Sequence, residues 1–179
     1  MDYNLSAILL YQMNKEQRKF TKIYDKYVES IYRFVFIKVS SSQIAEDITS
    51  EVFLKSWEKF KQKQDSIENP RAYLYRVARN RVIDFYRERG QTTIISIEQE
   101  NIVLKSDEDL EKKQETETNL EKIQKALIKL NPDYQDVIIL RHVDGLPIKD
   151  IAKILDKSNG ATRVMIHRAM EQLRERVEI

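Results

Sequence analysis

Six arginines and three tyrosines share the stretch "NPRAYLYRVARNRVIDFYRERG", residues 69–90, with only Asp84 and Glu88 set against them. Guanidinium groups neutralise phosphate and phenol rings stack on unpaired bases, so this mixture on one helix face is nucleic-acid chemistry. On a helix over 70–89 the pattern divides in two. Leu74, Ala78, Val82 and Phe85 form an apolar stripe with Tyr75 and Tyr86 at its edge. Arg76, Asn80 and Arg87, flanked by Tyr73 and Arg79, fall on the other side. One face is expected to be core and the other to hold nucleic acid.

Catalytic chemistry has little to work with. His142 and His167 are the two imidazoles, and there is no cysteine, which removes disulfides, thiol catalysis and thiolate zinc sites. Asp47 and Glu51, at i, i+4 spacing, could share a metal, but no histidine or second carboxylate pair completes a ligand set. No enzyme activity, cofactor or metal is expected.

The elements that must position these residues are helices. The 179 residues suffice for one domain or two small ones. The charged fraction of 34% exceeds the roughly 25% of an ordinary globular chain. Lysine plus arginine, 31, nearly balance aspartate plus glutamate, 29, so the distribution says more than the sum. Basic residues gather in 71–89, while 98–121 is mostly acidic. No signal peptide and no membrane-length apolar run is evident, so a soluble, cytoplasmic protein without membrane insertion is expected.

Asn69-Pro70 and Asn131-Pro132 each read as an N-cap followed by proline at the first helical position. Asn14 with Gln17 is a capping box, opening a helix whose apolar positions run from Phe20 to Val35. A short helix over 3–12 precedes it, and further helices are expected over about 44–60, 70–89, 132–143, 147–155 and from 159 onward. The expected fold is all-α. A four-helix N-terminal domain (1–90) and a helix-turn-helix four-helix domain (119–179) are joined by an acidic linker (91–118).

The C-terminal stretch "LPIKDIAKILDKSNGATRVMIHRAMEQLRERV" fits a helix-turn-helix. Its first helix would bury Ile148, Ile151, Ala152 and Leu155, and its second Thr162, Ile166, Ala169 and Leu173. Arg163, Val164, His167 and Arg168 then point outward, as a recognition helix requires. The turn carries Asp156 where many such motifs have glycine, and aspartate tolerates the left-handed backbone. In "AEDITSEVFLKSWEKF", Ile48, Val52 and Ser56, with Phe53, Trp57 and Phe60, make an inner face. Asp47, Glu51 and Glu58 line an outer stripe beside Leu54, suited either to solvent or to a basic protein partner.

With these pieces in this order, the chain resembles the bacterial sigma factors of the extracytoplasmic-function group, from about residue 17 to 176. "AEDITSEVFLKSWEKF" is similar to the family's core-polymerase-binding segment, the 69–89 stretch to its −10-recognition helix, and the helix-turn-helix to its −35 reader. The resemblance implies a specificity subunit whose partners are core RNA polymerase, promoter DNA and an anti-sigma factor. It places Asp47, Glu51, Leu54 and Trp57 on the polymerase-docking segment. It places Lys61, Lys63, Asp65, Ser66 and Asn69 in or beside a loop that holds a flipped −10 base, with Tyr73, Arg76, Arg79, Asn80 and Arg87 on the adjoining helix. Ser158, Asn159, Gly160, Arg163, Val164, His167 and Arg168 would read the −35 element. The family prefers glycine, serine and arginine where this chain has Asp156, Val164 and Met165, which bears on the −35 sequence read. The alternative is an autonomous helix-turn-helix regulator, which would usually bind paired half-sites as a dimer.

Overall fold

The computed structural model describes residues 14–62, 67–89 and 122–177. The expected helix over 3–12, the acidic linker, and Lys63, Asp65 and Ser66 lie outside them. Every regular element among the described residues is helical. None of these helices is long and apolar enough to cross a membrane.

Helix α1, Lys15–Val39, starts with the expected reciprocal cap. Asn14 Oδ1 accepts from the Gln17 amide and Gln17 Oε1 from the Asn14 amide, each at 2.8 Å. It stops where Ser40 turns left-handed, at φ 53°. Helix α2, Ser42–Gln62, folds back on it, and α3, Pro70–Glu88, crosses both. Ile31, Phe34 and Val35 of α1 meet Ala45, Ile48 and Val52 of α2 and Leu74, Ala78 and Val82 of α3, all buried. Each large aliphatic or aromatic side chain removed from water in this way contributes about 1.5–3 kcal/mol, so the apolar stripes dictate the three-helix packing.

The C-terminal half contains α4 (122–128), α5 (Pro132–Ile138), α6 (Ile148–Leu155) and α7 (Asn159–Val177). Leu127, Leu130, Val137, Ile151, Leu155, Ala169 and Leu173 fill its interior. The continuous helix expected over 132–143 is not what forms. After Ile138 the chain widens into a π turn, Ile139–Val143, in which the Asp144 amide reaches the Ile139 carbonyl at 3.0 Å. Gly145, at φ +65°, then lets the Leu146 amide close on the Leu140 carbonyl at 2.8 Å. The wider turn keeps Ile139, Leu140 and Leu146 buried while delivering the side chain of Asp144 to the N-terminal half.

That last contact is one of several between the two halves. Helix α3 packs on α6, and the buried residues of both halves belong to one continuous cluster. Tyr75, expected at the edge of the α3 stripe, is fully buried: its ring meets Phe34 edge-on at 5.4 Å and its hydroxyl donates to Asp144 at 2.9 Å.

Candidate nucleic-acid and polymerase interfaces

The helix-turn-helix is built as its residues require. Helix α6 buries Ile151, Ala152 and Leu155, and Ile148 is partly covered. Asp156 takes the left-handed conformation at φ 55°, occupying the glycine position of the turn. Ser158 caps α7, its Oγ accepting from the Ala161 amide at 3.1 Å, while Thr162 Oγ1 donates to the Ser158 carbonyl at 2.9 Å. Thr162, Ala169 and Leu173 point inward and Ile166 is half-buried. Asn159, Gly160, Arg163, Val164, His167 and Arg168 are all exposed. His167 Nδ1 lies 3.3 Å from Glu171. Beside this face is a shallow apolar-floored groove over Ile148, Ile166 and Met170, rimmed by Arg141, Arg163 and Arg174.

On α2, Val52, Phe53 and Ser56 face the core, and Asp47 and Leu54 face solvent. Leu54 is 60% exposed, the most of any large apolar side chain described. Trp57 is half-buried in an aromatic cluster, 5.2 Å from Phe20 and 6.3 Å from Phe60 by ring centroids. Glu51 is already occupied: it pairs with Arg81 of α3. Asp47 and Glu51 belong to no group of potential metal ligands, and none occurs among the described residues.

The expected −10 residues divide into three groups. Lys61, Asn80 and Arg87 are exposed, with Lys61 over the Trp57 ring and Arg87 4.0 Å from Asp84. Tyr73 is half-buried beneath Lys59, and burial raises its phenol pKa. Asn69, Arg76 and Arg79 are engaged by the C-terminal half. Asn69 caps α3 through the Ala72 amide at 3.0 Å and donates to Asp150 at 3.1 Å. Arg76 donates to the Lys153 carbonyl. Arg79 binds Asp136 through Nε at 2.7 Å and Asp133 through Nη2 at 2.6 Å. Burial works against its charge, and the carboxylates of Asp136 and Asp133 more than offset that, raising its pKa.

Sequence reasoning missed the carboxylates that make these contacts. Asp136 also pairs with Lys38 of α1, and Asp144 with Arg33 at 2.6 Å. A signal was present: Lys38 interrupts the apolar run "FVFIKV" on the same stripe as Ile31, Phe34 and Val35, and Asp136 directly precedes the apolar run Val137–Leu140. A charge at a core position needs a buried partner, and each supplies the other.

Comparison with known proteins agrees with this architecture. Residues 23–92 match the family model of sigma-70 region 2, and residues 120–173 match that of sigma-70, region 4. The chain is 30% identical to the extracytoplasmic-function sigma factor BldN of Streptomyces coelicolor over 88% of its own length, and spans 60% of that relative. It is 29% identical to SigW of Bacillus subtilis, covering 90% of both chains. Among solved structures, the sigma factor RpoE of Bartonella quintana, crystallised with the anti-sigma factor NepR, superposes with a TM-score of 0.70 at 23% identity. That match covers 90% of this chain and 98% of the other. CnrH, solved with the cytosolic domain of CnrY, gives a TM-score of 0.64 at 19% identity, over 90% and 89%. The two regions, in this order and on this all-helical fold, identify the chain as a member of the extracytoplasmic-function group of RNA polymerase sigma factors.

Proposed function

We propose that the chain binds core RNA polymerase through the outer stripe of α2, reads a −35 element with α7 and opens a −10 element with α3 and the loop before it. The observation that carries this reading is the free basic face of α7 in the same chain as a region 2 bundle with an unpartnered Leu54. A repressor needs the first and has no use for the second. On α7, Arg163 and Arg168 supply donors for phosphate or guanine, and Val164 offers an apolar contact to a thymine methyl. Ser158, Asn159 and Gly160 bring backbone amides to the same end. On α2, Leu54 is the anchor and Asp47 the acidic flank for a basic partner helix, while Trp57 steadies the aromatic cluster behind them.

For the −10 element, Lys61 at the end of α2 and Tyr73, Asn80 and Arg87 along α3 offer stacking and phosphate contacts to a strand with an unstacked base. Extruding a base costs about a few kcal/mol, which stacking and phosphate contacts must offset. The chain works without a cofactor or catalysis of its own, in the cytoplasm, and is held inactive by an anti-sigma factor, the kind of partner with which RpoE was crystallised. The test is run-off transcription with core polymerase on a genomic library. Start sites that share one −35/−10 pair are expected. Transcripts no different from those of core alone, with folded protein, refute the reading.

A further inference from the structure

Glu51 stands on the outer stripe of α2, yet its hold comes from α3. Arg81 Nη2 meets Glu51 Oε2, and the two side chains differ in burial, Arg81 keeping 18% of its exposure and Glu51 46%. Arg81 Nη1 lies 3.8 Å from Asp84 and 4.0 Å from Glu88. Its Nε is buried without a hydrogen-bond partner. The guanidinium is therefore fixed by packing on its inner side and turned toward three carboxylates on its outer side.

Folding gives little reason for this arrangement. An ion pair to a half-exposed carboxylate adds little stability, and a buried donor without an acceptor subtracts from it. What the arrangement delivers is a fixed Glu51. A loose glutamate must be ordered when a partner docks, which costs affinity. Arg81 removes that freedom beforehand. It takes one oxygen from the α3 side, and a carboxylate accepts on both, so the other is left for a partner. Nor does the cation spoil the face for a basic partner. Glu51, Asp84 and Glu88 surround it, Arg87 reaches Asp84 only at 4.0 Å, and the exposed Asp47 lies one turn before Glu51. Carboxylates outnumber guanidiniums there.

We propose that Arg81 is a positioning residue of the polymerase-docking face: from α3 it pins Glu51 of α2 in the orientation that meets a basic side chain of core RNA polymerase. The proposal rests on the reading of α2 as the docking helix. It also separates one arginine of the 69–90 stretch from the rest. The anion of Arg81 is a carboxylate of the neighbouring helix, not a phosphate.

A double-mutant cycle on polymerase affinity tests this. The chain has no cysteine, so Glu175→Cys, at an exposed position of α7, carries a single dye. Core polymerase is titrated against its anisotropy, and urea denaturation of each variant runs alongside. Arg81→Met keeps the packing of the stem and removes the pair, so it should weaken docking about fivefold. Beside Glu51→Ala the same substitution should change Kd by less than about twofold, since nothing is left to position. Arg81→Lys, which keeps the charge and can still reach Glu51, should recover part of the loss. A fivefold loss in both backgrounds would overturn the proposal, because Arg81 would then act without Glu51. Folded Arg81→Met that docks as well as the wild type, or better, would overturn it too. Should Arg81→Met fail to fold, Arg81→Lys must weaken docking about twofold and lose that effect beside Glu51→Ala, or the proposal falls. Leu54→Ala keeps the underlying docking stripe separately testable. Normal docking by Leu54→Ala, Glu51→Ala and Arg81→Met alike refutes the stripe and the proposal with it. Losses for Leu54→Ala and Glu51→Ala but none for Arg81→Met refute the proposal alone.

Discussion

Leu54→Ala separates docking from folding. The side chain is 60% exposed while its neighbours Val52 and Phe53 are buried at 0% and 5%. Burying a whole leucine contributes about 1.5–3 kcal/mol. With three-fifths of its surface still in water, docking on polymerase should recover about 1–2 kcal/mol, or about 5–30-fold in Kd. Folding stability should move by less than about 0.5 kcal/mol, as for an ordinary surface substitution. Phe53→Ala, one residue away, removes a buried ring and should cost about 3–5 kcal/mol of folding stability. The assay is a titration of dye-labelled chain with core polymerase, beside urea denaturation of each variant. An unchanged Kd for folded Leu54→Ala would refute the docking stripe. A folding loss like that of Phe53→Ala would mean that Leu54 belongs to the core after all.

Two further outcomes are expected. Asp156→Gly should stabilise the chain by roughly 0.5 kcal/mol in urea denaturation, because glycine relieves the left-handed strain and gives back part of the gain as unfolded-state entropy. Burial first, and the charge of Asp144 second, push the Tyr75 phenol far above its usual pKa of 10. Above pH 10 the unfolded chain therefore binds fewer protons than the folded one. Stability should then fall as pH rises, by about 1.4 kcal/mol per unit from this group. Denaturation midpoints across that range check the slope, which Tyr75→Phe should flatten.

What was legible in the sequence was whatever has a local cause. Asn14 with Gln17, Asn69 with Pro70 and Asn131 with Pro132 mark helix starts because a cap is a contact within one turn. The stripes of α2 and α7 are readable because burial follows a 3.6-residue period. The π turn at Ile139–Val143 was not readable. Its cause is tertiary: one added residue in the turn keeps Leu140 and Leu146 inside and brings Asp144 to Arg33 and Tyr75. The engagement of Arg79 was hidden for a related reason. A helical wheel shows which side a guanidinium leaves from, not which anion it meets.

This ambiguity is physical as well as interpretive. An arginine face tuned for phosphate is also the best carboxylate receptor on the molecule, since the same planar fork serves both. A chain that carries such a face on one half and an acidic stripe on the other must either keep them apart or let them pair. Here they pair, and Lys38 and Asp136 do so with almost no water left around them. Asp136 serves Arg79 as well as Lys38, so the two residues cannot be exchanged as an isolated pair. Lys38→Met/Asp136→Leu leaves the Arg79 Nε without its acceptor, and folding stability in urea denaturation should fall by about 1–3 kcal/mol. A neutral or more stable double variant would mean that the ions lose as much in hydration as their pairing returns.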